Sequence, residues 1–111
     1  MPTPRPGRRV RGSRTGRPMM ALLDLLGRRW ALRILHELGR GAATFAELRA
    51  RCDGMSPSVL AQRLAELRET GVVAAGDTGY TLTAAGVELG ELLVSLDAWS
   101  KRWAARLGAH Q

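Results

Sequence analysis

A single cysteine among 111 residues leaves no internal disulfide to build. The fold must rest on packing alone, and a reducing cytoplasm is the natural compartment. No apolar run approaches the roughly eighteen residues a membrane-spanning helix needs. The N-terminus is basic but is followed by neither a hydrophobic region nor a cleavage site, which argues against a secretory signal. Metal chemistry also lacks its parts. His36 and His110 are far apart, the cysteine has no nearby Cys or His, and no paired ligand spacing occurs. A nucleophile–base–acid set, a glycine-rich phosphate loop and paired carboxylates in an apolar setting are likewise missing. Neither an enzyme nor a cofactor is expected.

Acid is missing from residues 1–18, which carry Arg5, Arg8, Arg9, Arg11, Arg14 and Arg17. Nearly all of the net charge of +7 therefore sits in this segment. Rich in Pro, Gly, Ser and Thr, it has almost nothing to bury and is expected to be disordered when free. A polyanion, bound through phosphate neutralisation and counterion release, is one reading of it. A solubilising extension is the other. The expected organisation is a tail over 1–18, one domain over 19–107 and a short tail over 108–111.

Past Pro18 the chain turns abruptly apolar. MMALLDLLG reads as a short helix with apolar residues on nearly every side, ended by Gly27. Such a helix needs cover on more than one face. In RRWALRILHELG, Trp30, Ile34 and Leu38 stand at i, i+4 and i+8, widened by Ala31 and Leu35, and Gly39 ends the pattern. His36 falls on the outer side. Thr44 and Glu47 have the spacing of a capping box. Phe45, Leu48 and Cys52 then share a face, and Gly54 supplies a turn.

The next stretch, MSPSVLAQRLAELRETGVV, opens with Ser56 as N-cap and Pro57 at the first helical position. Leu60, Leu64 and Leu67 form its core stripe and Gly71 stops it. Two short strands are expected over 72–75 and 80–83, joined by GDTG. Thr83 then caps a long helix over 84–107.

Two helices joined by a tight glycine-containing turn, with a hairpin after them, fit a winged helix-turn-helix of mainly α (α+β) class. In that arrangement the first helix braces on the phosphate backbone and the second enters the major groove. The expected DNA contacts are Ser56, Ser58, Val59, Gln62 and Arg63, with Arg68 as a flanking phosphate contact and Thr44 on the bracing helix. Gln pairs bidentately with adenine, Arg with guanine, and Val meets a thymine methyl. The bland alternative makes Ser56 only a cap and leaves Gln62 and Arg63 as solvated surface.

In the last helix Leu89, Leu92, Leu96, Trp99 and Trp103 repeat at spacings of 3, 4, 3 and 4, close to a heptad seam. Gly86 and Gly90 leave room for another backbone. A partner helix is expected there, making a homodimer whose interface includes Met19, Leu22, Leu23, Leu26, Leu92, Leu96, Trp99 and Trp103. The alternative packs the seam on 19–26 of the same chain. Cys52, on an apolar face, is expected to behave as a small hydrophobe. Were it exposed, Arg49 and Arg51 would favour its thiolate.

LLGRRWALRILHEL, TFAELRARCDGMSPSVLAQRLAELRETGVV and YTLTAAG, in this order, resemble the HxlR-type transcriptional regulators, a winged-helix group close to the MarR class. The resemblance implies a dimeric regulator of double-stranded DNA whose terminal helices form the dimer interface, and it leaves any small-molecule effector open. Two departures stand out. Many members of that family sense oxidants through a Cys-Pro at the start of the first helix, where this chain has Arg17-Pro18. Family wings are also longer and often basic, whereas GDTG is minimal and carries Asp77. The arginine tail is expected to substitute in part, as a basic arm in a minor groove. A protein-interaction module without specific DNA binding is the rival function.

Overall fold

The computed structural model describes residues 17–109. Most of the arginine-rich segment, and with it the expected minor-groove arm, lies outside the described residues. Seven elements follow in order: α1 (Pro18–Leu26), α2 (Ala31–Gly39), α3 (Phe45–Arg51), α4 (Pro57–Glu69), β1 (Val73–Gly76), β2 (Gly79–Leu82) and α5 (Ala84–Ala109). This is a mainly α winged helix-turn-helix. The last helix runs two residues into the segment expected as a C-terminal tail.

The core lies where α2, α3, α4 and the hairpin meet. Ile34, Leu48, Leu60, Leu64, Leu67 and Cys52 are its largest fully buried side chains. At about 1.5–3 kcal/mol for each fully buried large aliphatic side chain, this cluster is the main driving force for the fold. Leu25 of α1 and Val73 of β1 close it at two sides, and Leu89 and Leu93 dock the start of α5 onto it.

Local chemistry explains the element ends. Thr44 accepts the Glu47 amide while Glu47 reaches back to the Thr44 amide, so the capping box forms as expected. Gly71, at φ +81°, ends α4 in a Schellman turn. Its amide bonds the Arg68 carbonyl and the Val72 amide bonds that of Leu67. Thr83 caps α5 by accepting the Gly86 amide, and its hydroxyl donates to the Gly71 carbonyl at 2.6 Å.

Three details differ from the sequence reading. Trp30, expected on the apolar stripe of α2, is instead the N-cap of that helix, and its φ of +76° places it in the left-handed region. That sharp junction folds α1 back against α2 and leaves Trp30 on the edge of the core. Secondly, the hairpin gains a third partner. Ala43 forms an antiparallel bridge with Tyr80, through two backbone bonds of 2.8 and 3.1 Å. A Cβ at Gly79 would stand 2.4 Å from the Ala43 carbonyl oxygen, so this crossing requires glycine. Thirdly, the backbone that Gly86 makes room for belongs to the same chain and not to a partner helix, since a Cβ there would lie 2.1 Å from the Val72 carbonyl oxygen. Gly90 meets nothing within 4 Å.

Candidate nucleic-acid interface

The turn between α3 and α4 takes two consecutive left-handed residues, Asp53 (φ +60°) and Gly54 (φ +69°). Arginines strap it to the scaffold. Arg33 of α2 donates to the Arg51 carbonyl at 2.6 Å and pairs with Asp53 at 3.3 Å, while Arg49 donates to the Met55 carbonyl at 2.7 Å. Arg33 also binds Glu37 at 3.0 Å. Burial pushes the Glu37 carboxyl up, but the hydrogen bond and charge of Arg33, with help from Arg40, outweigh it and hold this group below its ordinary value. Around the turn the backbone is thus held by side chains that would otherwise be free cations.

From this frame α4 projects. Ser56 caps it by accepting the Val59 amide, and its hydroxyl lies 3.0 Å from that of Ser58. Ser56, Ser58, Gln62 and Arg68 are exposed. Val59 is half-buried against the core, with only part of its side chain facing out. Thr44 is exposed at the start of α3, its hydroxyl already used by the cap. Ala61 and Ala65, not singled out from the sequence, are also exposed on α4.

Arg63 departs from its expected place. Its Nε donates to the Arg29 carbonyl at 2.8 Å and its Nη1 to Glu66 Oε1 at 2.9 Å, with a side chain only 15% exposed. The reason is angular. At about 100° per residue, position 63 lies roughly 60° from Leu60, on the flank of the leucine stripe and not opposite it. The outward direction belongs to Ser58, Gln62 and Ala65. Sequence reasoning also missed Glu66, which is buried and receives Arg28 and Arg63 together. The available signal was its i,i+3 spacing from Arg63.

The wing is as short as expected. β1 and β2 pair from Val73↔Leu82 to Gly76↔Gly79, leaving only Asp77 and Thr78 at the tip. No basic residue occurs anywhere in 73–82. Among the described residues no three His, Cys, Asp or Glu side chains gather where a metal ion would fit. His36 is exposed on α2. Cys52 has no solvent exposure, and burial pushes its thiol up. It is a core hydrophobe.

Of the residues expected at a dimer interface, Leu22 and Leu26 are half-buried, Leu26 against the core. Met19 and Leu23 are exposed on α1, and Leu92 and Leu96 on α5 remain 63% and 60% exposed. Trp99 and Trp103 stack on one another with ring centres 5.9 Å apart, each about half exposed. Leu89 alone of the heptad seam joins the core. Packing of the seam on 19–26 of the same chain therefore does not cover it.

Comparison with known proteins agrees with this architecture. The HxlR-like helix-turn-helix family matches residues 25–107. The HTH-type transcriptional regulator YvaP of Bacillus subtilis is 32% identical over 88 residues, spanning 73% of this chain and 82% of that protein. YodB, another HTH-type transcriptional regulator of B. subtilis, is 32% identical over 92 residues, or 77% of this chain and 82% of YodB. The crystal structure of quinone-bound YodB superposes with a TM-score of 0.72 at 33% identity, covering 76% of this chain and 96% of that one. A MarR-family transcriptional regulator from Enterococcus faecalis gives 0.72 at 28% identity, over 86% and 96% of the two chains. With three-quarters of its length inside the family match and the same winged fold, this chain belongs to the HxlR-like helix-turn-helix family of transcriptional regulators, which are not enzymes.

Proposed function

We propose that this regulator works in the cytoplasm as a homodimer that reads a pseudo-palindromic operator in double-stranded DNA. The observation that carries base reading is the outward face of α4. Ser58 and Gln62 stand exposed there on a helix whose start is capped and whose preceding turn is strapped at three backbone or side-chain points. A rigidly presented polar face is what direct readout needs. Gln62 supplies the bidentate contact, Ser58 a hydrogen bond, and Ala61 with the exposed part of Val59 the apolar contacts to thymine. Ser56, Arg68 and Thr44 lie at the margins and contact phosphate. Arg63 is reassigned from base reading to holding the helix in place. The arginine-rich segment, acting as a flexible basic arm, supplies the non-specific affinity that a wing without basic residues does not.

Dimerisation rests on the uncovered apolar face of α1 and α5. A two-fold axis through those helices sets two copies of α4 about one DNA turn apart, roughly 34 Å. An effector, if the protein has one, binds without attachment to an accessible thiol. The quinone carried by the YodB structure is a precedent for effector class only, because Cys52 is sealed in the core.

Selection of bound sites from a random DNA pool tests the reading. The expected product is an inverted repeat with half-sites about 10 base pairs apart. Gln62→Ala is expected to relax one position per half-site at a cost of about 1–3 kcal/mol. Recovery of no preferred site, with affinity that depends only on salt and on residues 2–17, would instead support a protein-interaction module with a sticky tail.

A further inference from the structure

Between α4 and the α1–α2 junction lies a cluster of charges that the DNA-reading face does not use. Glu66 is buried at 4% exposure, yet it sits on the flank of α4 well away from the leucine stripe. Arg28, on the junction, donates Nη1 to Glu66 Oε2 and pairs through Nη2 with Asp24 of α1 at 3.4 Å. Arg63 grips the other carboxylate oxygen and donates Nε to the Arg29 carbonyl. Both carboxylate oxygens are therefore occupied, and each arginine has a second anchor on a different element. The side chains involved are 5% exposed for Glu66, 10% for Arg28 and 15% for Arg63.

Apolar burial alone leaves a short helix free to roll about its leucine stripe, because hydrophobic packing is non-directional. Charge-assisted bonds with fixed donor and acceptor directions are not tolerant in this way. A roll of α4 would pull Arg63 off the Arg29 carbonyl and leave a buried carboxylate half-paired, which is costly. The cluster lies beside Val59 and Gln62 in the helical sequence, so it fixes the angle at which those side chains leave the scaffold.

We infer that Glu66, held by Arg28 and Arg63, is a positioning residue that sets the roll of the recognition helix and hence base selectivity, without touching DNA. This rests on the proposal that α4 reads the major groove. It assigns Arg63 to the protein side of the interface.

The test compares the full-length chain with Glu66→Gln and with the double variant Arg28→Met/Glu66→Met. The double variant replaces the most buried pair with apolar volume and so is expected to fold. Arg63, released from its carboxylate, sits at the edge of the cluster and has a route to solvent. Site selection from a random pool is run on each protein, with affinity for the selected site and for random duplex measured at one salt concentration. NMR of arginine side chains reads the Arg63 Nε–H, expected to be protected from exchange in the parent and unprotected in both variants. The ratio of specific to non-specific affinity is expected to fall about tenfold or more across the whole half-site, with random-duplex affinity unchanged.

A folded double variant that keeps the parent ratio would overturn the clamp while leaving α4 as the reader. If Arg63→Ala relaxes a single base position and the Glu66 variants relax none, Arg63 reads a base and the clamp is again overturned. If the parent itself selects no site, the DNA-reading proposal fails and the positioning role fails with it.

Discussion

The body of the molecule and the far half of α5 are built to opposite standards. In the body, the buried carboxylates Glu37 and Glu66 are each paired with two arginines and the large aliphatic residues of the α2, α3 and α4 stripes are buried. Along α5 beyond Leu93, Val94, Leu96, Trp99, Trp103 and Leu107 are all substantially exposed on one 26-residue helix. A solitary domain would not keep this much contiguous apolar surface in water. The contrast supports the homodimer proposed above, in which the body folds within one chain and a second copy covers the far half of α5.

Breaking the uncovered half should give the largest effect. Leu96→Asp puts a charge in the proposed seam at a side chain that is not part of the core. Its thermal midpoint at low protein concentration should be near that of the parent, while sedimentation should show a monomer. Loss of the second DNA contact should then weaken operator binding by about 100-fold or more. A variant that remains dimeric and binds normally would mean that the seam is covered in some other way.

The next effect is at the joint between the two halves. Gly86 is where α5 leaves the hairpin, and a methyl group there would meet the Val72 carbonyl oxygen at 2.1 Å. Backbone must shift, so Gly86→Ala should destabilise the chain by about 1–3 kcal/mol in urea titrations. The same change at Gly90, which meets nothing within 4 Å, should be neutral or slightly stabilising through helix propensity. Equal effects at the two glycines would remove the distinction between joint and free helix. A smaller loss, about 1 kcal/mol, is expected for Thr83→Ala. That change deletes the cap of α5 and the tie to Gly71 together.

How much of this was legible beforehand follows the same division. Features set by a few neighbouring residues read correctly: the Thr44–Glu47 box, Ser56 and Pro57 at the start of α4, the leucine stripe, Gly71 as a stop, and Thr83 as a cap. Each depends on local hydrogen bonding that spacing alone specifies. What failed depends on distant partners. Arg63 looks solvated until the Arg29 carbonyl is brought beside it, 34 positions away in sequence. Glu66 looks like surface until the α1–α2 junction covers that flank. Gly86 invites a partner helix until Val72, just before β1, is folded underneath it, and Trp30 continues a perfect helical period although its backbone is left-handed. Periodicity reports which side is apolar but not how wide an arc the rest of the fold will bury. The exposed seam was readable because none of the described residues covers it.

The finest of the expected effects sharpens the body's side of the comparison through pH. Glu37 is buried and its carboxyl is held below the usual range, because Arg33 and Arg40 outweigh the desolvation that pushes it up. Glu47 is lowered as well, by the backbone and side-chain hydrogen bonds of Thr44. A carboxylate whose folded pKa is depressed contributes stability that is fully present above its unfolded value. That contribution is lost as pH falls through the folded value. Both groups therefore leave stability flat near neutrality and make it decline below about pH 4.5, where unfolded glutamates begin to protonate first. Glu37→Gln should be less stable than the parent at pH 7, since Arg33 and Arg40 lose their acceptor charge. The gap between the two proteins in urea midpoint should narrow steadily as pH falls below that point. Glu47→Gln should show the same convergence with a smaller starting gap, because its box is at the surface. A gap for Glu37→Gln that stays constant into the acid range would mean that Glu37 acts in the body as a shape and not as a charge. The buried charge pairing that distinguishes the body from the bare seam of α5 would then rest on Glu66 with Arg28 and Arg63.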